Sequence, residues 1–200
     1  MGLTSFCRVV RRRAHSLLLL SILLSITLNL ASAQQDDWTH SPEAEAYKRN
    51  QESRKAELVR INGTGTHPLL TSRLLEMRKV DQSIRTEMFG APGDPHSELI
   101  PELKKTDRVL TNQLEGIVSA DGWPTIALVG IEASQAAALL LIHSPDHDFQ
   151  QNLLPTLERL VEEKKIVGTD IALLTDKILV ASGKPQRFGT NSPGTTTVLW

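Results

Sequence analysis

Three aspartates fall where apolar residues are expected. Asp81 occupies the missing rung of a stripe formed by Leu70, Leu74, Met77, Ile84 and Met88, and Asp107 fills the gap between Leu103 and Leu110. Asp176 falls between Ala172 and Leu179 on one side and Leu173 and Val180 on the other. Helical spacing places each apolar set on one face of a helix, where an isolated carboxylate is costly unless it is paired. His143 closes the most apolar stretch of the chain. Packed as a bundle, Asp81, Asp107, His143 and Asp176 would converge on one polar pocket, and a carboxylate beside an imidazole suits acid–base work near neutral pH. These four are the candidate catalytic residues. A structural role is equally open, in which each aspartate caps a neighbouring helix or pairs with Arg85 or Lys177.

His143 and His147 have the i, i+4 spacing that puts two metal ligands on one helix face, with Asp146 and Asp148 nearby. Pro145 lies between them and disfavours a continuous helix. The candidate metal ligands are His143, His147 and Asp146; a divalent metal is allowed but not required, and no other cofactor is evident. Gln186-Arg187-Phe188-Gly189-Thr190 follows the last helical pattern, where long polar side chains gain little from packing. With Arg85, its Gln186 and Thr190 are candidate ligand-binding residues at a pocket mouth. HExxH, GxSxG, P-loop and GxGxxG arrangements are absent from the sequence.

The elements that must position these groups read as helices. Residues 34–42 are polar, and Glu43 to Ile61 has few apolar anchors, so the first helix should pack weakly. Asn62-Gly63-Thr64-Gly65-Thr66 is a turn signal that also matches a glycosylation sequon. Pro68, after Thr66-His67, opens the Leu70–Met88 stripe. A breaker loop spans Gly90 to Pro95, and Ser97-Glu98 leads into the Leu103–Val118 stripe. Gly122-Trp123-Pro124-Thr125 reads as a helix-ending glycine, an aromatic plug and a proline starting the next helix. Ala127 to Ile142 is apolar nearly all round and should be the central helix. Phe149 to Val161 forms an amphipathic stripe interrupted by Pro155, and Gly168 with Thr169-Asp170 should end one helix and cap the next. No repeat or sustained alternation is present. The expected class is mainly α: one helical-bundle-like domain of five or six helices after a signal peptide.

Residues 1–33 supply that signal: Arg8, Arg11, Arg12 and Arg13, an apolar run from Leu17 to Leu30, then Ala31-Ser32-Ala33 as a cleavage site. The chain is expected to be exported to the periplasm or outside the cell, touching membrane only through an uncleaved signal. The expected organisation is 1–33 signal, 34–66 polar segment with one weak helix, 67–191 helical domain, and 192–200 irregular tail. Cys7 is the only cysteine and lies inside the signal, so a mature chain from Gln34 has no thiol chemistry. Cleavage removes four arginines and no acid from 22 basic and 23 acidic residues, leaving 18 against 23, a net charge of −5. Basic residues are interleaved with acids, which argues against nucleic acid as a partner. The expected partner is a small molecule or an envelope protein, and the expected function is that of a binding module. The alternative is a hydrolytic or transfer enzyme using the Asp/His cluster.

Taken together, Gly122-Trp123-Pro124-Thr125, Val129-Gly130, His143, Phe149-Gln150, Leu174-Thr175-Asp176-Lys177 and Gln186 to Thr190 resemble an uncharacterised bacterial family, number 6624 among the domains of unknown function. The resemblance covers roughly residues 68 to 191, with Asp81, Arg85 and Asp107 at positions where the family has comparable polar residues. Lys177 stands where arginine is usual, Phe188 where tyrosine is usual, and Asn191 where glutamine often follows Gly-Thr. The resemblance implies domain boundaries and a shared pocket; it carries no activity.

Overall fold

The computed structural model describes residues 41–89 and 96–190; the expected signal segment, the whole Gly90–Pro95 loop and the tail from 191 lie outside the described residues. The chain divides into two compact units, residues 1–52 and 53–200. Seven α-helices and no strand occur among the described residues: α1 Pro42–Asn62, α2 Pro68–Phe89, α3 Ile100–Asp121, α4 Ile126–Val129, α5 Ile131–His143, α6 His147–Glu162 and α7 Gly168–Ala181. A 3-10 turn, Ser97–Leu99, leads into α3. The mainly α class is as expected.

The count exceeds six because the expected Ala127–Ile142 helix is two helices, broken at Gly130. Thr66 and His67 donate their backbone N–H groups to Leu128 O at 2.9 Å each, which draws the Asn62–Thr66 turn against the end of α4. The backbones meet so closely that a Cβ on Gly65 would lie 2.5 Å from Gly130 N, and one on Gly130, whose φ is +80°, would lie 2.7 Å from Thr64 O. Only glycine fits there. Thr71 Oγ1 donates to Val129 O at 2.9 Å, satisfying a carbonyl freed by the break. Asn62, the sequon residue, uses its amide Nδ2 on Leu58 O and Lys164 O, both at 2.8 Å.

Pro68 is the first residue of α2, and the His67 ring replaces a usual cap: its Nδ1 accepts from Leu70 N at 3.1 Å. Gly122 caps α3 with φ +73° and Trp123 is buried, but Pro124 precedes the cap Thr125 of the short α4 instead of opening a helix. Thr169 and Asp170 likewise lie within the first turn of α7, whose cap position is Val167. Ile166 and Val167 are both buried there, so packing and not a polar cap locates that helix start.

α5 is the core. Ala133, Ala136, Ala137 and Leu141 are fully buried and pack with Leu70, Leu74 and Met77 of α2, Leu114 of α3, and Ile171 and Leu174 of α7. The small alanines let neighbouring helices approach α5 on several sides, while Leu157 and Leu160 hold α6 to the same cluster. Burial of each large aliphatic side chain contributes roughly 1.5–3 kcal/mol. A helix so enclosed must still satisfy its last carbonyls without water.

Candidate functional site

Those carbonyls are met by side chains. Gln150 of α6, fully buried, donates Nε2 to Leu141 O at 2.8 Å and Ser144 O at 3.0 Å, and Lys177 Nζ of α7 donates to Ile142 O. A cation is favoured there by the helix dipole. Burial lowers Lys177 to about 8, with the Asp107 charge opposing that shift and the Arg85 charge adding to it.

His143, the last residue of α5, points its Nδ1 at Asp81 of α2, 2.8 Å from Oδ1 and 3.0 Å from Oδ2. Asp81 is 0 % exposed. Burial alone would raise its carboxyl. The His143 hydrogen bond and charge, a 2.7 Å bond from Gln82 Nε2 and the Arg85 charge together hold it below the ordinary carboxylate value. An ionised carboxylate only accepts, so Nδ1 of His143 carries the proton. Arg85, one turn along α2, brings Nη1 within 3.1 Å of Asp81 Oδ1, an ion pair not aligned as a hydrogen bond. Its Nη2 donates to Asp107 Oδ1 and Oδ2 of α3 at 3.0 and 3.2 Å. Burial raises the Asp107 carboxyl despite the Arg85 charge and hydrogen bond.

Asp107 is also where this network reaches the outside. It lines a cleft of about 730 Å³ beside Lys104, Arg108 and Asn112 of α3, across from Asp146, His147 and Asp148 at the start of α6. The volume falls within the range of small-molecule sites.

A family model described as a family of unknown function (DUF6624) matches residues 68–195. The chain belongs to that family. No curated protein and no solved structure matches the chain. The matched stretch begins at the first residue of α2, so the DUF6624 region contains the whole network and the cleft.

Of the four residues expected to converge, the structure brings together Asp81, Asp107 and His143. Asp176 is not among them. Its carboxylate, 0 % exposed, accepts Arg187 N at 2.7 Å, Phe188 N at 3.0 Å, and Thr190 N and Oγ1 at 2.8 and 2.9 Å. Burial would raise this carboxyl, but these bonds, Thr190 N foremost, bring it down to about 2. The polar loop after α7 is therefore wrapped around a carboxylate: Thr190 serves Asp176, and neither it nor Gln186 lines the cleft. Arg85, expected to bind ligand, bridges two aspartates and is not among the residues lining the cleft.

The proposed metal set is also separated by function. His143 serves Asp81, Asp146 Oδ1 caps α6 by accepting Phe149 N at 2.8 Å, and His147 Nδ1 faces Gln150 Oε1 at 3.3 Å. Pro145 turns the chain between α5 and α6, which destroys the i, i+4 register of the two histidines. Among the described residues no group of three His, Cys, Asp or Glu could hold a metal ion. Sequence reasoning missed Gln150, Lys104 and Arg108 as site residues. The i, i+4 spacing of Lys104 and Arg108 around Asp107 was the available signal.

Proposed function

We propose that the DUF6624 domain of this chain is an exported binding module for a small polar molecule seated in the cleft over Asp107. One observation carries the reading: Asp107 belongs both to the buried charge network and to the cleft lining. Clustered ionisable groups with displaced pKa values beside a cavity are characteristic of functional sites. Export is proposed from the basic residues before Leu17, the apolar run and Ala31-Ser32-Ala33. A mature protein whose mass begins at Gln34 would support it, and retention of residues 1–33 would oppose it.

Amide NMR spectra of the folded protein, titrated with neutral, anionic, cationic and zwitterionic small compounds, test the binding reading. Movement centred on Asp107, Thr111 and His147 supports it; a full panel that leaves those amides in place refutes it.

The second reading is an acid–base enzyme, favoured by the Asp81–His143 pair, since a carboxylate-oriented imidazole is a common proton-transfer device. It ranks second because His143 is 8 % exposed and does not line the cleft. Chemical conversion of a titrant, abolished in His143→Gln, would reverse the order.

A further inference from the structure

Some charges on this chain's helices are paired locally: Lys48 with Glu45, Arg60 with Glu57, Lys79 with Glu76 and Lys105 with Glu102, at 2.7 to 3.7 Å. In the cleft, charges of both signs face one another across open space. Lys104 and Arg108, one turn apart on α3, line one side, and Asp148 lines the other; among the described residues none of the three has an ion-pair or side-chain hydrogen-bond partner. The other carboxylates in the cleft are already engaged, Asp107 by Arg85 and Asp146 by the Phe149 N–H.

His147 is oriented at the cleft wall by Gln150. Gln150 Nε2 is committed to carbonyls of Leu141 and Ser144, which fixes the amide orientation and leaves Oε1 to accept from His147 Nδ1. Nδ1 therefore carries a proton, and this contact holds the ring of a side chain that lines the cleft.

We infer that the cleft recognises a small zwitterion of the amino-acid or short-peptide class, its carboxylate held by Lys104 and Arg108 and its protonated amine by Asp148. The arginine can grip a carboxylate bidentately, and the amine supplies donors that the Asp148 carboxylate accepts. The inference rests on the cleft being a binding site and narrows it to one ligand chemistry.

Diglycine, N-acetyl-diglycine (anion only) and diglycinamide (cation only) are the probes, titrated by NMR into the folded protein and three variants. Diglycine should bind at least about tenfold more tightly than either capped compound, because each cap removes one set of charge-assisted hydrogen bonds. Arg108→Glu and Lys104→Glu should weaken diglycine and the anion while sparing the cation; Asp148→Asn should weaken diglycine and the cation while sparing the anion. These side chains lie on the surface, and amide spectra of each variant report that it folds. Capped compounds binding as tightly as diglycine, or variants without this reciprocal pattern, would overturn the inference. If other polar compounds move the cleft amides and diglycine does not, the zwitterion is wrong and the cleft remains a site. If nothing moves them, both readings fall.

Discussion

Asp81 and Asp107 share Arg85, yet the fold treats their charges oppositely. Asp81 is held ionised by His143, Gln82 and Arg85, whereas burial favours the protonated form of Asp107. Asp81→Asn should therefore cost about 2–3 kcal/mol in urea unfolding, because it removes the buried charge that accepts from His143 Nδ1–H and Gln82 Nε2, while Arg85 keeps Asp107. Asp107→Asn should cost only about 1 kcal/mol, since Arg85 keeps Asp81 as a partner. Equal losses in the two variants would contradict the network described. Asp176 governs acid sensitivity. Its folded pKa of about 2 lies below the ordinary 3.8, so its contribution is complete above the ordinary value and is lost as pH falls through the folded one. Asp81 acts in the same sense; Asp107, shifted upward, favours the fold below its ordinary value and loses that contribution as pH rises. Unfolding midpoints of Asp176→Asn, measured from pH 6 down to 2, should start lower than those of the parent protein and decline less steeply. A parallel decline would show that Asp176 is not the acid-sensitive latch.

At the scale of elements, the break between α4 and α5 sets where His143 emerges, because α5 starts at Ile131, after Gly130, and not at Ala127. Three glycines with positive φ allow a graded test. Gly122, at φ +73° and ψ −170°, has nothing within 4 Å of an added Cβ, so Gly122→Ala should cost only the penalty of that glycine-favouring backbone region, about 1–3 kcal/mol. Gly65→Ala and Gly130→Ala meet backbone at 2.5 and 2.7 Å, which cannot yield as a flexible side chain can. Thermal unfolding should rank both well below Gly122→Ala. If all three melt together, the close approach of the 62–66 turn to Gly130 is wrong. α6 and α7 matter differently: each contributes one buried polar side chain, Gln150 and Lys177, to the carbonyl end of α5.

Across the whole molecule, protection should follow distance from α5. Amide hydrogen exchange in native conditions should be slowest at Ala136 to Leu141, opening only with global unfolding, and fastest in α1, whose one buried residue is Ala44. Comparable protection in both would refute α5 as the centre. Most helices were legible in the sequence, since apolar residues at three- and four-residue spacing must face a core wherever that core is. The displaced aspartates at 81 and 107 were legible as polar intrusions for the same reason. Their partners were not, because Asp81 meets His143 across 62 residues of chain and no local spacing encodes that distance. Asp176 showed the same intrusion yet turned to the loop at 187–190, as side-chain direction depends on how α7 is rolled against α5 and α6. The break at Gly130 was hidden too: an apolar run is consistent with one long helix until another backbone needs the space. Local periodicity determined which segments coil and which faces are oily; packing alone decided which buried charges share a neighbour, because that choice is made between elements.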